Sequence, residues 1–147
     1  MQILNKKATY EYTILDRIEA GVVLFGVEVK SLRLGHGKLE GAFVKLMNGE
    51  AFLVNAQIPL YSYATISGYD PKRTRKLLFH KRELLRIKNK LESAKLTLIP
   101  LFWYTKGPQM KLEVGIARGK KEYEKREVIK LADQKRELEQ EFRGKIK

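Results

Sequence analysis

The sequence predicts a mainly β protein whose strands curl into a small antiparallel barrel, and three observations support this. Short runs rich in β-branched and aromatic residues recur over residues 9–118, separated by Gly, Pro, Asn and Asp. One separator is Asn48-Gly49, set between two apolar runs; a tight type I′ hairpin turn prefers this pair because both central residues take positive φ. About six such strands in this length would leave exposed edges unless the sheet closes, which favours a partly closed barrel of the oligonucleotide-binding type.

Taken in order, residues 1–7, MQILNKK, read as a short basic lead-in. TYEYTIL, Thr9–Leu15, alternates aromatic and polar residues and predicts the first strand; Tyr10 and Tyr12 would then share one of its faces. Gly21 introduces VVLFGVEV, a β-branched run expected as a second strand with a bulge or close approach at Gly26. EVKSLRLG predicts a short helix, with Val29 and Leu32 on one face and Gly35 ending it. AFVKLMNGEAFLVNAQI is the hairpin, and SGYDPKRTRK a loop stiffened at Pro71. From His80 to Lys95 the residues Leu84, Leu85, Ile87, Leu91 and Ala94 form an apolar helical stripe opposite a basic face. LTLIPLFWYTK and QMKLEVGIAR are the last strands, joined across Gly107-Pro108, with Pro100 marking an edge or a bulge.

A chain of 147 residues suits one domain, here a barrel over 1–118 followed by a tail over 119–147. From Arg118 onward the tail holds 11 Lys and Arg against 7 Asp and Glu. Val128, Leu131, Leu138 and Phe142 form only a narrow helical stripe, too little to hold an isolated helix in water. The tail is therefore expected to be disordered or fraying when free and to become helical on a partner.

Charge narrows the function. With 30 Lys and Arg against 17 Asp and Glu the chain carries a formal +13, which calls for a polyanionic partner, nucleic acid before an anionic membrane. There is no cysteine, and the two histidines, His36 and His80, lie far apart, so neither a metal centre nor a cofactor is expected. LGHGKLEG lacks both the dinucleotide fingerprint and the Ser or Thr of a Walker loop, and the acids do not cluster for two-metal chemistry. An enzyme is not expected. Without a signal pattern or a membrane-spanning apolar run, the expected location is the cytoplasm.

The segment DPKRTRKLLFHKRE places cations at 72, 73, 75, 76, 81 and 82, where Lys and Arg can neutralise phosphates or simply keep a loop solvated. With the overall charge, RNA contact is the favoured reading. Tyr10, Tyr12, Tyr61, Tyr63, Tyr69 and Tyr104 offer rings that could stack on bases or sit half-buried in strands; for Tyr104, beside Trp103, the buried reading is preferred. Among the acids, Glu28 should pair with a nearby Lys or accept from a helix-start N–H. Glu19 could accept from a nucleobase or a 2′-hydroxyl, but residue chemistry alone favours an ion pair.

Several segments then fall into a familiar order: NKKA, YEYTI, EAGVVLFGVEVKSLR, NGEAFLVNAQIPLY, DPKRTRKLL and ARGKKEYEKRE, collinear from Asn5 to Glu127. Together they resemble the small protein B (SmpB) family, the tmRNA-binding proteins of bacterial trans-translation. The resemblance implies an oligonucleotide-binding-like barrel with short helices. It also implies a non-enzymatic factor that binds the tRNA-like domain of tmRNA and delivers it to stalled ribosomes; a monomer is expected.

The implied tmRNA face includes Asn5, Tyr12, Glu19, Leu78 and Lys111, which moves Glu19 from ion pair to RNA contact. The matching basic segments add Lys6, Lys7, Arg73, Arg75 and Lys76. In the tail, Lys120, Lys121, Lys125 and Arg126 match a basic motif and Tyr123 a ring presented to the decoding centre, with the tail entering the empty mRNA channel. Glu124 stands where the family usually has Asp, and VIKLAD at 128–133 replaces an Asp-Ile-Lys-x-Arg-Glu run. The alternative is a ribosomal or general single-strand RNA-binding protein.

Overall fold

A computed structural model describes residues 2–62, 66–120, 126 and 130–138. Along the chain lie β1 (Gln2–Leu4), α1 (Ala8–Glu11), β2 (Tyr12–Val22), α2 (Gly26–Arg33), β3 (Phe43–Met47) and β4 (Glu50–Val54). There follow β5 (Arg75–Leu78), α3 (Lys81–Ser93), β6 (Thr97–Lys106) and β7 (Gln109–Gly119). All the strands join one antiparallel sheet in the order β1-β6-β7-β2-β5-β4-β3. The ladder has two free ends, β1 and β3, and β3 lies alongside β6 without pairing to it. The sheet is thus curled toward an oligonucleotide-binding-like barrel but, among the described residues, not closed by hydrogen bonds.

The turns follow residue chemistry. Asn48 and Gly49 take φ of 51° and 76°, and Met47 pairs with Glu50, so the hairpin is as tight as the pair allows. Gly35, at φ 80°, follows α2, and Gly107, at φ 59°, links β6 to β7. Pro100 sits where the β6–β7 register slips, between Pro100 and Phe102: the bulge alternative, not the edge. His80 precedes α3, and its backbone N–H donates to the Glu83 carboxylate at 3.1 Å.

Three segments depart from expectation. VVLFGVEV is not a strand: β2 runs on through Gly21 to Val22, and the segment from Gly26 is helical. The cause is Glu28, whose carboxylate accepts the Phe25 backbone N–H at 2.8 Å and is buried against two arginines. A charge that must be inside outweighs the β propensity of the valines. TYEYTIL divides, with Tyr10 in the single turn of α1 and Tyr12 opening β2, so the two tyrosines do not share a strand face. The basic lead-in contains β1, paired to Phe102–Tyr104, and β5, wedged between β2 and β4, begins in the last two residues of the expected loop; the described residues thus hold seven strands rather than about six.

The main core packs Ile18 and Ala20 of β2, Leu53 of β4, Leu77 of β5, Trp103 of β6 and Leu112, Val114 and Ile116 of β7 under Leu32 of α2 and Ile87 of α3. Trp103, Leu112 and Ile87 are fully buried, and each such large side chain contributes about 1.5–3 kcal/mol of transfer free energy. A smaller cluster of Ala8, Ile99, Leu101 and Ala117 is flanked by Tyr12, Ile14 and Phe102. α3 is tied to β2 through Asp16, which pairs with Arg86 and, at 3.0 Å, with Lys90.

Candidate nucleic-acid interface

Strand alternation decides which residues are offered to a partner. Ile18 and Ala20 of β2 point into the core, so Glu19 and Gly21 point out; on β7, Leu112 and Val114 point in, so Lys111 and Glu113 point out. Leu77 is buried while Leu78 is 51 % exposed, and Trp103 is buried while Tyr104 is half-buried on the outer face. Tyr104 is thus the half-buried strand residue expected beside Trp103.

The ladder then brings distant residues together. Gly21 pairs with Leu78 on one side and with Lys111 on the other. Glu19, Gly21, Leu78 and Lys111 consequently line one cleft of about 250 Å3, with Phe79, His80 and Glu83. Gly21 is the floor: a Cβ there would lie 3.3 Å from Leu78 Cβ and 3.7 Å from Lys111 Nζ, so glycine keeps the cleft deep.

Glu19 is held firmly. Its carboxylate accepts a short hydrogen bond from the Tyr104 hydroxyl, and Lys106 Nζ lies at 3.3 and 3.4 Å from its two oxygens. The Tyr104 bond is the chief reason its carboxyl stays below the usual carboxylate range; burial opposes this, and Lys106 and Lys111 assist. Opposite Glu19 on β7, the Glu113 carboxyl is pushed up, by burial first and by Glu19 as well, against the pull of Arg17. Glu19 is thus ion-paired and yet remains 35 % exposed.

A second hollow, of about 260 Å3, is lined by Asn5, Lys7, Ala8, Glu11 and Tyr12, and by Gly41, Phe43 and Thr97. Asn5 Nδ2 donates to the Pro100 carbonyl at 2.9 Å, and its backbone N–H to the Leu101 carbonyl at 2.8 Å, so Asn5 pins the β6 bulge. Its Oδ1 is buried with no hydrogen-bond partner among the described residues. Tyr12 is half-buried against the smaller cluster, and Lys6 is exposed beside Lys7.

Of the expected basic loop, the structure removes Arg75 from the surface. Its side chain is fully buried, Nη2 is 2.6 Å from Glu28 Oε2, and Nη1 donates to the carbonyls of Ala56 at 2.7 Å and Arg73 at 3.0 Å. Every donor of the fork faces inward, so a phosphate contact through Arg75 gives way to a structural role. Arg73 is committed to the same carboxylate and lies 4.1 Å from the Phe25 ring centroid, though its side chain keeps 22 % exposure. Burial alone would raise the Glu28 carboxyl, but the hydrogen bonds from Arg73, the Phe25 N–H and Arg75 outweigh it and hold it low. Lys76 is exposed and pairs with Glu50 at 3.1 Å. Nothing in the residue spacing marked Glu28 as the partner of both arginines, 45 and 47 positions away.

The family model described as "SmpB protein" matches residues 2–144. The chain belongs to the SmpB family. A protein named "SsrA-binding protein" from Sulfurihydrogenibium sp. (strain YO3AOP1) is 50 % identical over 97 % of this chain and 94 % of its own. Its namesake from Aquifex aeolicus (strain VF5) is 48 % identical over 97 % of this chain and 91 % of its own. A solved chain from "tmRNA-SmpB: a journey to the center of the bacterial ribosome" superimposes with a TM-score of 0.68 at 43 % identity, covering 82 % of this chain and 85 % of that one.

In this SmpB-family chain the residue after β7 is fastened to α1: Lys120 N–H donates to the Glu11 carbonyl at 2.9 Å, and its Nζ to the Thr9 carbonyl at 2.5 Å. Lys121, Tyr123 and Lys125 lie outside the described residues. Arg126 is helical and exposed, and residues 130–138 form a helix with Leu131 and Leu138 each 66 % exposed. Among the described residues there is no cluster of metal-ligating side chains, and no helix is long and apolar enough to cross a membrane.

Proposed function

We propose that this chain binds the tRNA-like domain of tmRNA through the outer face of its sheet and delivers it to stalled ribosomes, acting in the cytoplasm without catalysing a reaction. The observation that carries the reading is the convergence of Glu19, Leu78 and Lys111, from three different strands, in one cleft over Gly21. A hydrogen-bond acceptor, an apolar wall and a cation over a flat floor suit the edge, face and phosphate of a folded RNA. Asn5, Lys6, Lys7 and Tyr12 add a second contact region, and Lys76 a peripheral cation. The relatives' name, SsrA-binding protein, and their high identity support the same partner.

The barrel over 1–118 and the tail over 119–147 act as separate modules. The tail, through Lys120, Lys121, Tyr123, Lys125 and Arg126, enters the vacant mRNA channel, where a net-positive segment meets walls of phosphate. Cutting the chain after Gly119 tests this: affinity for the tRNA-like domain stays within twofold, while rescue of stalled ribosomes is lost. Equal losses in both assays would overturn the two-module reading.

A further inference from the structure

The cleft acid is not left to find its own orientation. Glu19 lies on β2 and faces Glu113 across the ladder, a like-charged neighbour that disfavours a fixed, ionised carboxylate there. The Tyr104 hydroxyl, from β6, reaches over the intervening β7 strand to donate to Glu19, and Lys106 closes from the same strand. Tyr104 is itself fixed: its Cα is in register with Lys111, and its ring lies 5.6 Å from that of Phe102. A phenol is a donor here that cannot compete for the carboxylate's remaining lone pairs once its single proton is engaged.

We propose that Tyr104 is a positioning residue for RNA recognition: it fixes the Glu19 carboxylate over the Gly21 floor so that the unused acceptor sites face the RNA. The inference rests on the reading of Glu19 as part of the RNA face. Tyr104 need not touch RNA to matter. A carboxylate free to swing toward Lys106, or away from Glu113, would have to be ordered when the complex forms, and that ordering weakens binding. The direction of both titrations agrees: Glu19 is held low chiefly by this bond, and the phenol is pushed up, by burial first and then by Glu19.

The experiment is a double-mutant cycle at one salt concentration, using the full chain and the isolated tRNA-like domain of tmRNA. Tyr104→Phe keeps the ring and removes only the donor. It is expected to weaken binding about fivefold in the wild-type background and by less than about 1.5-fold in a Glu19→Gln background. Carbon-detected NMR titration of the Glu19 carboxyl in Tyr104→Phe should show its pKa rising. If Glu19→Gln itself leaves affinity unchanged, the Glu19 reading fails and the proposal with it. If Glu19→Gln weakens binding but Tyr104→Phe does not, the proposal fails and the RNA face stands. Equal losses in both backgrounds, from direct RNA contact or from general loss of folding, also overturn it, as does an unmoved Glu19 titration.

Discussion

Glu28→Gln is the substitution with the largest expected effect, and the structure sets its size. The Glu28 side chain is fully buried and answers two guanidinium groups, so its site already carries one excess positive charge. The amide keeps the shape and can still accept the Phe25 N–H, but it leaves Arg75 at 0 % exposure with no counter-charge. Removing one partner of a buried pair typically costs about 3–5 kcal/mol, against a total domain stability of about 5–15 kcal/mol. Urea unfolding followed by tryptophan fluorescence should show that loss, since the single tryptophan, Trp103, is fully buried in the core. At about 3 °C per kcal/mol for a chain of this size, Tm should fall by about 10 °C.

The pH dependence follows with a definite sign. The folded Glu28 carboxyl is held below its ordinary 4.5, so its stabilisation is present above that value and is lost as pH falls through the lower folded pKa. Wild type should therefore lose more stability on acidification below pH 4.5 than Glu28→Gln does. A cost under about 1 kcal/mol, with a large loss of RNA affinity instead, would refute the buried clasp and return the arginines to the surface.

Further substitutions separate fold from function. Arg75→Lys replaces the fork by a point charge and should cost about 2 kcal/mol in urea, while the folded fraction binds the tRNA-like domain within twofold of wild type. Gly49→Ala, at φ 76°, should cost about 1 kcal/mol by thermal unfolding without touching RNA affinity. Lys111→Ala should weaken RNA binding and reduce the slope of log affinity against log salt by about 1.

What was legible in the sequence was local. Asn48-Gly49, Gly35 and Gly107-Pro108 depend on a few adjacent residues, and each forms as its chemistry requires; of the α3 stripe, Leu84, Ile87 and Leu91 pack on the core, while Leu85 is 60 % exposed and Ala94 lies beyond the helix. What was hidden depended on distant partners. β1 is three residues long and exists only because β6 offers it Phe102–Tyr104. β5 hides inside a basic run because Arg75 faces inward to Glu28 while Lys76 faces out.

The same limit applied to the interface. Glu19 is chemically ambiguous by itself, and only the ladder sets it beside Leu78 and Lys111 and under Tyr104. The family resemblance supplied those names in advance. For Arg73 and Arg75 the same basic run pointed to RNA, where the structure commits both to Glu28.

The most direct test of the account is competition binding at one near-physiological salt concentration, because counterion release alone can shift affinity by orders of magnitude. A labelled tRNA-like domain of tmRNA is displaced from the full chain by unlabelled elongator tRNA or by an unstructured RNA of equal length. If the sheet face reads a particular RNA shape, the tRNA-like domain is preferred over both by at least tenfold, about 1.4 kcal/mol. If all three RNAs compete alike, the +13 charge accounts for binding by itself, and the specific interface built on Glu19, Leu78 and Lys111 is contradicted.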